Sequence, residues 1–115
     1  MSTFIGNKPG EEIPEGKMGT FRMRIDQIDH QLITLLGQRI AISILVGHHK
    51  AENNMQVRDE MRETEILKAL EGLGADREVP AELIREIYEK IIAHSRAVQE
   101  EIILAMRGTE KSADE

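Results

Sequence analysis

The sequence lacks cysteine and tryptophan, and its 115 residues include only two phenylalanines and one tyrosine. A disulfide-stapled secreted module and a cysteine-ligated zinc site are therefore excluded, and an aromatic-rich β-sandwich is disfavoured. The sequence also has no basic N-terminal segment followed by an apolar core, and no unbroken apolar run near the ~20 residues that span a bilayer. These absences predict one small, soluble, cytoplasmic domain.

The charge balance narrows the range of ligands. The formal net charge is −6, and general binding to nucleic acid needs a surplus of lysine and arginine on one face. A nucleic-acid partner is therefore disfavoured, whereas a small anionic ligand remains possible.

Several sequence motifs of familiar enzyme chemistries are also missing. The sequence has no Gly-x-Ser-x-Gly nucleophile elbow, no glycine-rich phosphate loop and no His-x-x-x-His pair. The adjacent His48 and His49 would diverge by about 100° on a helix, which makes a shared metal ion difficult. We therefore expect no metal site and no cofactor.

Helical periodicity dominates the rest of the chain, and no strand pattern occurs. A flexible arm rich in glycine and proline is predicted over residues 1–19, followed by a helical domain over residues 20–107 and a flexible tail over residues 108–115. The first predicted helix is long, over about residues 20–53. A shorter second helix covers about residues 59–73. A third helix begins at Pro80, since proline suits a first helical turn. The predicted fold class is all-α, with three helices per protomer.

The first helix carries more apolar surface than two shorter helices can cover. Its main stripe is flanked by apolar shoulders at Ile33, Ile40 and Ile44, and the other two helices are only about 24 Å and 40 Å long. The stripe consists of Ile25, Ile28, Leu32, Leu35, Leu36, Ile42 and Val46. This excess predicts that a second chain covers the surface, and the alternative is an ordinary monomeric three-helix bundle.

Charged and polar residues lie where the core is expected. Arg39 and Lys50 fall inside the stripe, and an unpaired charge there needs a partner. One explanation is a buried network in which Asp59 and Glu63 neutralise the cations. The other is a bound anion: the Cα atoms of Arg39 and Lys50 would lie about 16.5 Å apart on one helix face, which leaves room for a small dianion.

Four segments in order resemble the all-helical chorismate mutase family (chorismate mutase type II) over about residues 20–105. They are Arg22-x-x-Ile25-Asp26-x-Ile28-Asp29-x-x-Leu32-Ile33-x-Leu35-Leu36-x-x-Arg39, Val46-Gly47-x-x-Lys50, Val57-Arg58-Asp59-x-x-Arg62-Glu63 and Ile91-Ile92-x-x-Ser95-x-x-x-Gln99. The resemblance implies an intertwined homodimeric helical bundle that rearranges chorismate to prephenate in aromatic amino-acid biosynthesis. Such an isomerase needs no cofactor.

The resemblance also implies roles for individual residues. Arg39 and Arg22 of the partner subunit would clamp the two substrate carboxylates, as the planar guanidinium fork suits. Lys50 and Gln99 would donate to the ether oxygen of the substrate. Together with Glu63, the residues Arg39, Lys50 and Gln99 form the implied catalytic set.

The remaining carried-over residues would complete the pocket. Asp59 and Glu63 correspond to contacts of the ring hydroxyl, and Arg62 and Ser95 to further substrate-binding residues. Arg58 corresponds to a scaffold position.

Three alternatives remain open at this point. A 4-amino-4-deoxychorismate mutase or an isochorismate-pyruvate lyase would use the same fold and a similar dianion clamp, and Glu63 could face either a hydroxyl or an ammonium group. From a different class, the chain could be a non-catalytic helical dimerisation or regulatory module. Loss of Arg39, Lys50 or Gln99 would mark such a module, and all three are present.

Overall fold

Three α-helices make up the part of the chain that the structure, a computed structural model, describes. It describes the backbone of residues 16–114 and the side chains of residues 16–108. The helices are α1 (Gly16–Glu52), α2 (Glu60–Ala75) and α3 (Ala81–Asp114). No strand occurs within these residues, and the prediction of an all-α protein with a long first helix is confirmed.

The outer ends of α1 and α3 differ from the prediction. α1 includes residues 16–19, which were assigned to the N-terminal arm, and the rest of that arm lies outside the described residues. α3 continues through Gly108 to Asp114, whereas the sequence predicted a helix end at Gly108. An isolated glycine costs a helix only about 1 kcal/mol relative to alanine, so glycine alone does not end a helix.

The start of α2 is fixed by a side-chain cap. Asp59 has extended backbone geometry, and its Oδ1 accepts a hydrogen bond from the backbone N–H of Arg62 at 3.0 Å. This contact satisfies one of the free N–H groups of the first turn. The acidic residues Glu60 and Glu63 in that turn complement the positive end of the helix dipole.

A tight connection joins α2 to α3. Gly74 is buried at the end of α2, and a Cβ atom there would overlap the side chain of Ile84 and lie 3.2 Å from the carbonyl oxygen of Val79. The backbone N–H of Ile84 donates to the carbonyl of Pro80 at 3.1 Å, which makes Pro80 the residue that precedes the first turn of α3. The helix therefore begins at Ala81, one residue later than predicted, and Pro80 precedes its first turn instead of lying in it.

The chain divides into two units at Arg39 and Ile40. In the second unit α2 packs against α3, and the buried apolar side chains are Ile84, Ile92 and Ile103, each at most 8% exposed. In the first unit no described residue is buried. The large apolar side chains of the predicted stripe are exposed in this unit. Ile25, Leu32 and Leu35, for example, are 56%, 58% and 59% exposed.

The hydropathy of α1 bears on the predicted absence of a membrane span. By length and composition alone α1 would suffice to cross a membrane, because one 18-residue window reaches a mean hydropathy of 1.2. Polar residues interrupt the apolar runs of α1, so this mean hydropathy does not correspond to one unbroken apolar run. A single helix of this kind near the N-terminus is weak evidence for a membrane span, since core helices of soluble proteins pass the same test.

Candidate active site

α1 and α3 approach each other closely at Gly47. A Cβ atom at this position would lie 3.0 Å from Cδ1 of Ile102 and 3.2 Å from Cα of Gln99. Since real Cβ atoms rarely come so near to backbone, glycine is what permits this separation of the two helices. Gln99 is thereby held directly against the backbone of α1.

Gln99 is a buried amide, only 7% exposed. Its Oε1 is inaccessible to solvent and makes no hydrogen bond with the described residues. A buried polar group without a partner costs about 1–3 kcal/mol, so an arrangement of this kind suits a group that a ligand will satisfy. A half-turn of the amide exchanges Oε1 with Nε2, so the same position can present two N–H donors.

Ser95 lies one turn before Gln99 on α3 and is half-buried. The hydroxyl of Ser43 on α1 donates a hydrogen bond to Ser95 Oγ at 2.9 Å. Ser43 is 8% exposed, and the sequence analysis did not select it. The signal was present, because Ser43 lies five helical turns after Ile25 and therefore on the same face of α1 as the apolar stripe.

Lys50 lies one turn after Gly47 on α1 and is half-buried. Its Nζ donates a hydrogen bond to the carbonyl oxygen of Val57 at 2.6 Å, which ties the ammonium to the loop between α1 and α2. Within residues 16–108 no carboxylate forms an ion pair with Lys50. An ammonium group has three donors, so two remain for a ligand.

A cavity of about 700 Å³ opens beside Lys50. Its polar lining combines both signs of charge, and the lining residues are Lys50, Met55, Gln56, Arg58, Asp59 and Glu60. The Asp59 carboxylate is one of the negative charges that line the cavity, and it also caps α2. The guanidinium of Arg58 lies 3.5 Å from a carboxylate oxygen of Glu60, so the two charges partly offset each other.

A second cavity, of about 500 Å³, shares Arg58 and Glu60 with the first. Its other lining residues come from α2 and α3: Glu63, Thr64, Leu67, Glu89, Ile92 and Arg96. The Nε atom of Arg96 lies 3.4 Å from Oε2 of Glu63, with the two side chains 29% and 19% exposed. Arg96 was not selected from the sequence, although it directly follows Ser95.

One explanation of the inward charges was a buried network in which Asp59 and Glu63 neutralise the cations. In the structure both acids have other partners. Glu63 is paired with Arg96, and the Asp59 carboxylate accepts from the backbone of α2. Neither acid forms an ion pair with Lys50 among the described residues. An anionic ligand at the cavity would compensate this half-buried cation.

The other predicted site residues are three arginines. The side chain of Arg62 is 66% exposed and lies 3.9 Å from Glu65, its neighbour one turn along α2. Arg22 is exposed and Arg39 is half-buried, both on the part of α1 that belongs to the first unit. The second unit thus holds three sets of predicted residues. Lys50 and Asp59 line the first cavity, and Glu63 lines the second. Ser95 and Gln99 lie where α3 contacts α1.

Metal binding finds no support in this part of the chain. Among the described residues no group of three or more His, Asp or Glu side chains could hold a metal ion. The chemistry available in the second unit consists of hydrogen-bond donors and fixed charges.

Comparison with known proteins identifies the domain. The sequence profile of the family described as chorismate mutase type II matches residues 21–100. A bifunctional chorismate mutase/prephenate dehydratase of Buchnera aphidicola subsp. Acyrthosiphon pisum is 32% identical over 83 residues, which are 72% of this chain and 22% of that protein. The protein of the same name from Escherichia coli K12 is 29% identical over 89 residues, or 77% and 23% of the two chains.

A third relative with the same name, from Buchnera aphidicola subsp. Baizongia pistaciae, is 35% identical over 83 residues, with the same coverage of 72% and 22%. The chain thus spans a quarter or less of the length of the curated relatives it matches. No solved structure matches the chain significantly.

Proposed function

Because the chain belongs to the chorismate mutase type II family, as its sequence motifs predicted, we propose that it is an isomerase that converts chorismate to prephenate. The observation that carries this proposal is Lys50, a half-buried ammonium without a carboxylate partner in the described residues. It opens on a cavity, and it lies one turn after Gly47, which packs against Gln99. A dianionic substrate compensates the ammonium, and an ether oxygen accepts a hydrogen bond from the Gln99 amide when Nε2 faces the ligand.

The reaction itself asks little of the protein. It is an intramolecular rearrangement in which a C–C bond forms as a C–O bond breaks, so it needs no base, nucleophile or cofactor. Holding the substrate in a compact conformation supplies orientation. Lys50 and Gln99 then donate to the ether oxygen, whose negative charge grows only in the transition state, so their interaction lowers the barrier.

The substrate carboxylates are held by arginines in this proposal. Arg39 binds one and Arg22 of the partner subunit binds the other, through planar forks that match a carboxylate. The protein is therefore proposed to act as an intertwined homodimer. The exposed apolar stripe on the first unit supports this, since water-exposed isoleucine and leucine at this density mark an interaction surface.

The remaining residues bind the ring side of the substrate. Glu63 accepts a hydrogen bond from the ring hydroxyl, with Asp59 beside it. Ser95 and Arg62 are further pocket residues. We propose a soluble, cytoplasmic location, which a biosynthetic family favours, and neither metal nor nucleic acid as a partner.

The direct test incubates the purified protein separately with chorismate, isochorismate and 4-amino-4-deoxychorismate and identifies the products. Prephenate from chorismate is the expected result. Pyruvate released from isochorismate would instead identify a lyase. Absence of turnover with all three, from a folded protein, would identify a non-catalytic module.

The shared site has its own test. Arg22→Ala and Arg39→Ala proteins should each be inactive, and mixing them under conditions that allow subunit exchange should restore part of the activity. In a mixed dimer one site carries both substitutions and the other carries neither. Failure of exchanged chains to regain activity would contradict the donation of Arg22 across subunits.

A further inference from the structure

Arg96 of α3 forms an ion pair with Glu63, a residue of the proposed substrate pocket. Its Nε atom is inaccessible to solvent and lies 3.4 Å from Oε2 of Glu63, without the alignment of a hydrogen bond. Both side chains are largely buried, at 29% and 19% exposure. An ion pair that is withdrawn from water in this way interacts more strongly than a surface pair.

The pair also links the two helices that shape the second cavity. Glu63 comes from the first turn of α2, and Arg96 lies one turn before Gln99 on α3. The guanidinium engages Oε2, which leaves Oε1 of the carboxylate to accept a hydrogen bond from a ligand. The other charges that line this cavity are Arg58 and Glu60, themselves 3.5 Å apart, and Glu89.

We propose that Arg96 is a positioning residue that orients the Glu63 carboxylate and sets its preference for a neutral hydroxyl over an ammonium on the substrate ring. This inference rests on the function proposed above, because it concerns the ring substituent that Glu63 faces.

The preference follows from charge. A carboxylate already paired with a guanidinium still accepts from a hydroxyl, which brings no charge of its own. An ammonium at the same position would have to approach the Arg96 cation, and like charges this close repel each other. Without Arg96, Glu63 would instead present an uncompensated negative charge, which favours the ammonium. Arg96 therefore acts by excluding the wrong substituent as well as by orienting Glu63.

The test measures kcat/KM for chorismate and for 4-amino-4-deoxychorismate in the native protein, Arg96→Gln and Arg96→Lys. The glutamine keeps an N–H donor near Glu63 but removes the charge, whereas the lysine keeps the charge. We expect the native protein to prefer chorismate and Arg96→Gln to lower the ratio of the two constants by about tenfold or more. Arg96→Lys should retain most of the ratio.

Arg85→Gln is the matched control, because Arg85 also reaches from α3 to an acid of α2, Glu71, outside the proposed site. It should leave the ratio unchanged. The ratio does not depend on the folded fraction, since the same folded molecules convert both substrates, so a merely structural role of Arg96 would not alter it.

Two outcomes would overturn the inference in different ways. Turnover of chorismate with a ratio that Arg96→Gln changes by less than about twofold would refute the role of Arg96 and leave the proposed function intact. Absence of chorismate turnover by the folded native protein would refute both.

Discussion

Residues 16–39 and residues 40–114 are both largely helical, but they differ in whether their apolar side chains are buried. The first segment buries none of its described residues and leaves Leu32 and Leu35 more than half exposed. The second buries Ile84, Ile92 and Ile103, and with them the polar residues Ser43 and Gln99. Periodicity therefore identifies an apolar face in both segments, whereas among residues 16–108 only the second segment has its apolar face partly covered.

The difference assigns separate tasks to the two segments. A face that its own chain covers can hold a buried amide such as Gln99 in a fixed place. An uncovered face of isoleucine and leucine has a large free energy to gain from association, roughly 25 cal/mol for each Å² of apolar surface removed from water. We therefore expect association to depend on the first segment and the catalytic donors to depend on the second.

The largest expected effect comes from placing a charge on the exposed stripe. Leu32→Glu should abolish dimer formation and activity together, because burying an unpaired carboxylate in an apolar interface costs several kcal/mol, about 3 or more, in each subunit. Sedimentation and circular dichroism would measure the association state and the helix content.

The control for this change is Thr34→Glu, which adds the same charge to the same helix. Thr34 is exposed and lies on the opposite side of α1 from the stripe. It should remain dimeric and active. A Leu32→Glu protein that stays dimeric would show that the exposed stripe is not the association surface.

A second test removes the unpaired cation of the other segment. Lys50→Ala should lower kcat by about 100-fold or more, comparable to the loss of one oxyanion donor at roughly 3 kcal/mol. The fold should survive, since only one hydrogen bond to Val57 is lost and a half-buried charge is removed. Steady-state kinetics and urea unfolding would separate the two effects.

Lys68→Ala is its control, because Lys68 is an exposed lysine of α2. It should match the native protein in both measurements. If Lys50→Ala raised KM and left kcat unchanged, Lys50 would bind the substrate equally in the ground state and the transition state, and its assignment as a catalytic donor would be wrong.

The sequence was sufficient for the three helices of this fold, and the roles of the polar residues at the candidate site stay predictions. The starts of α2 and α3 depend on neighbours only a few positions away, so local patterns place them near Asp59 and Pro80. The ends of α1 and α3 were less predictable, because Gly19 and Gly108 have a low helix propensity that the rest of a long helix can override.

The face of α3 could not be located accurately from its own periodicity. Gln99, which was selected through the family resemblance, lies between the buried residues Ile92 and Ile103 along the helix. Ile87, an apolar residue of the same helix, is 47% exposed. The apolar positions of α3 extend over more than half of its circumference, so contact with α1 and α2 decides which of them are buried. The same reason explains why Arg96 was missed, whereas Ser43 lies on the stripe face of α1, where the sequence did carry a signal.

Gly47→Ala would test how strictly the second segment fixes the distance between α1 and α3. The added Cβ would meet the Cα of Gln99 at 3.2 Å, and backbone yields less easily than the end of a side chain. We expect a loss of about 1–3 kcal/mol in the free energy of unfolding, as in other overpacked cores, with a lower kcat because Gln99 shifts.

The matched substitution is Gly72→Ala on α2, where a Cβ would meet nothing within 4 Å. It should stabilise the protein by roughly 0.5–1 kcal/mol, since alanine is the better helix former. Equal effects of the two alanines on stability would mean that the approach of α1 to α3 is loose.

The smallest expected effect lies in the connection between α2 and α3, away from the donors. Glu78 has a positive φ of 57°, a left-handed conformation that costs a residue with a Cβ about 1 kcal/mol. Glu78→Gly removes this strain but adds freedom to the unfolded chain, so we expect a net gain of only a few tenths of a kcal/mol, measured as a higher urea midpoint. Glu86→Gly, within α3, should lose about 1 kcal/mol because its backbone is already helical. Opposite signs for the two glycines would show that the second segment tolerates strain between its helices but not within them, whereas a loss at both positions would contradict the left-handed geometry of Glu78.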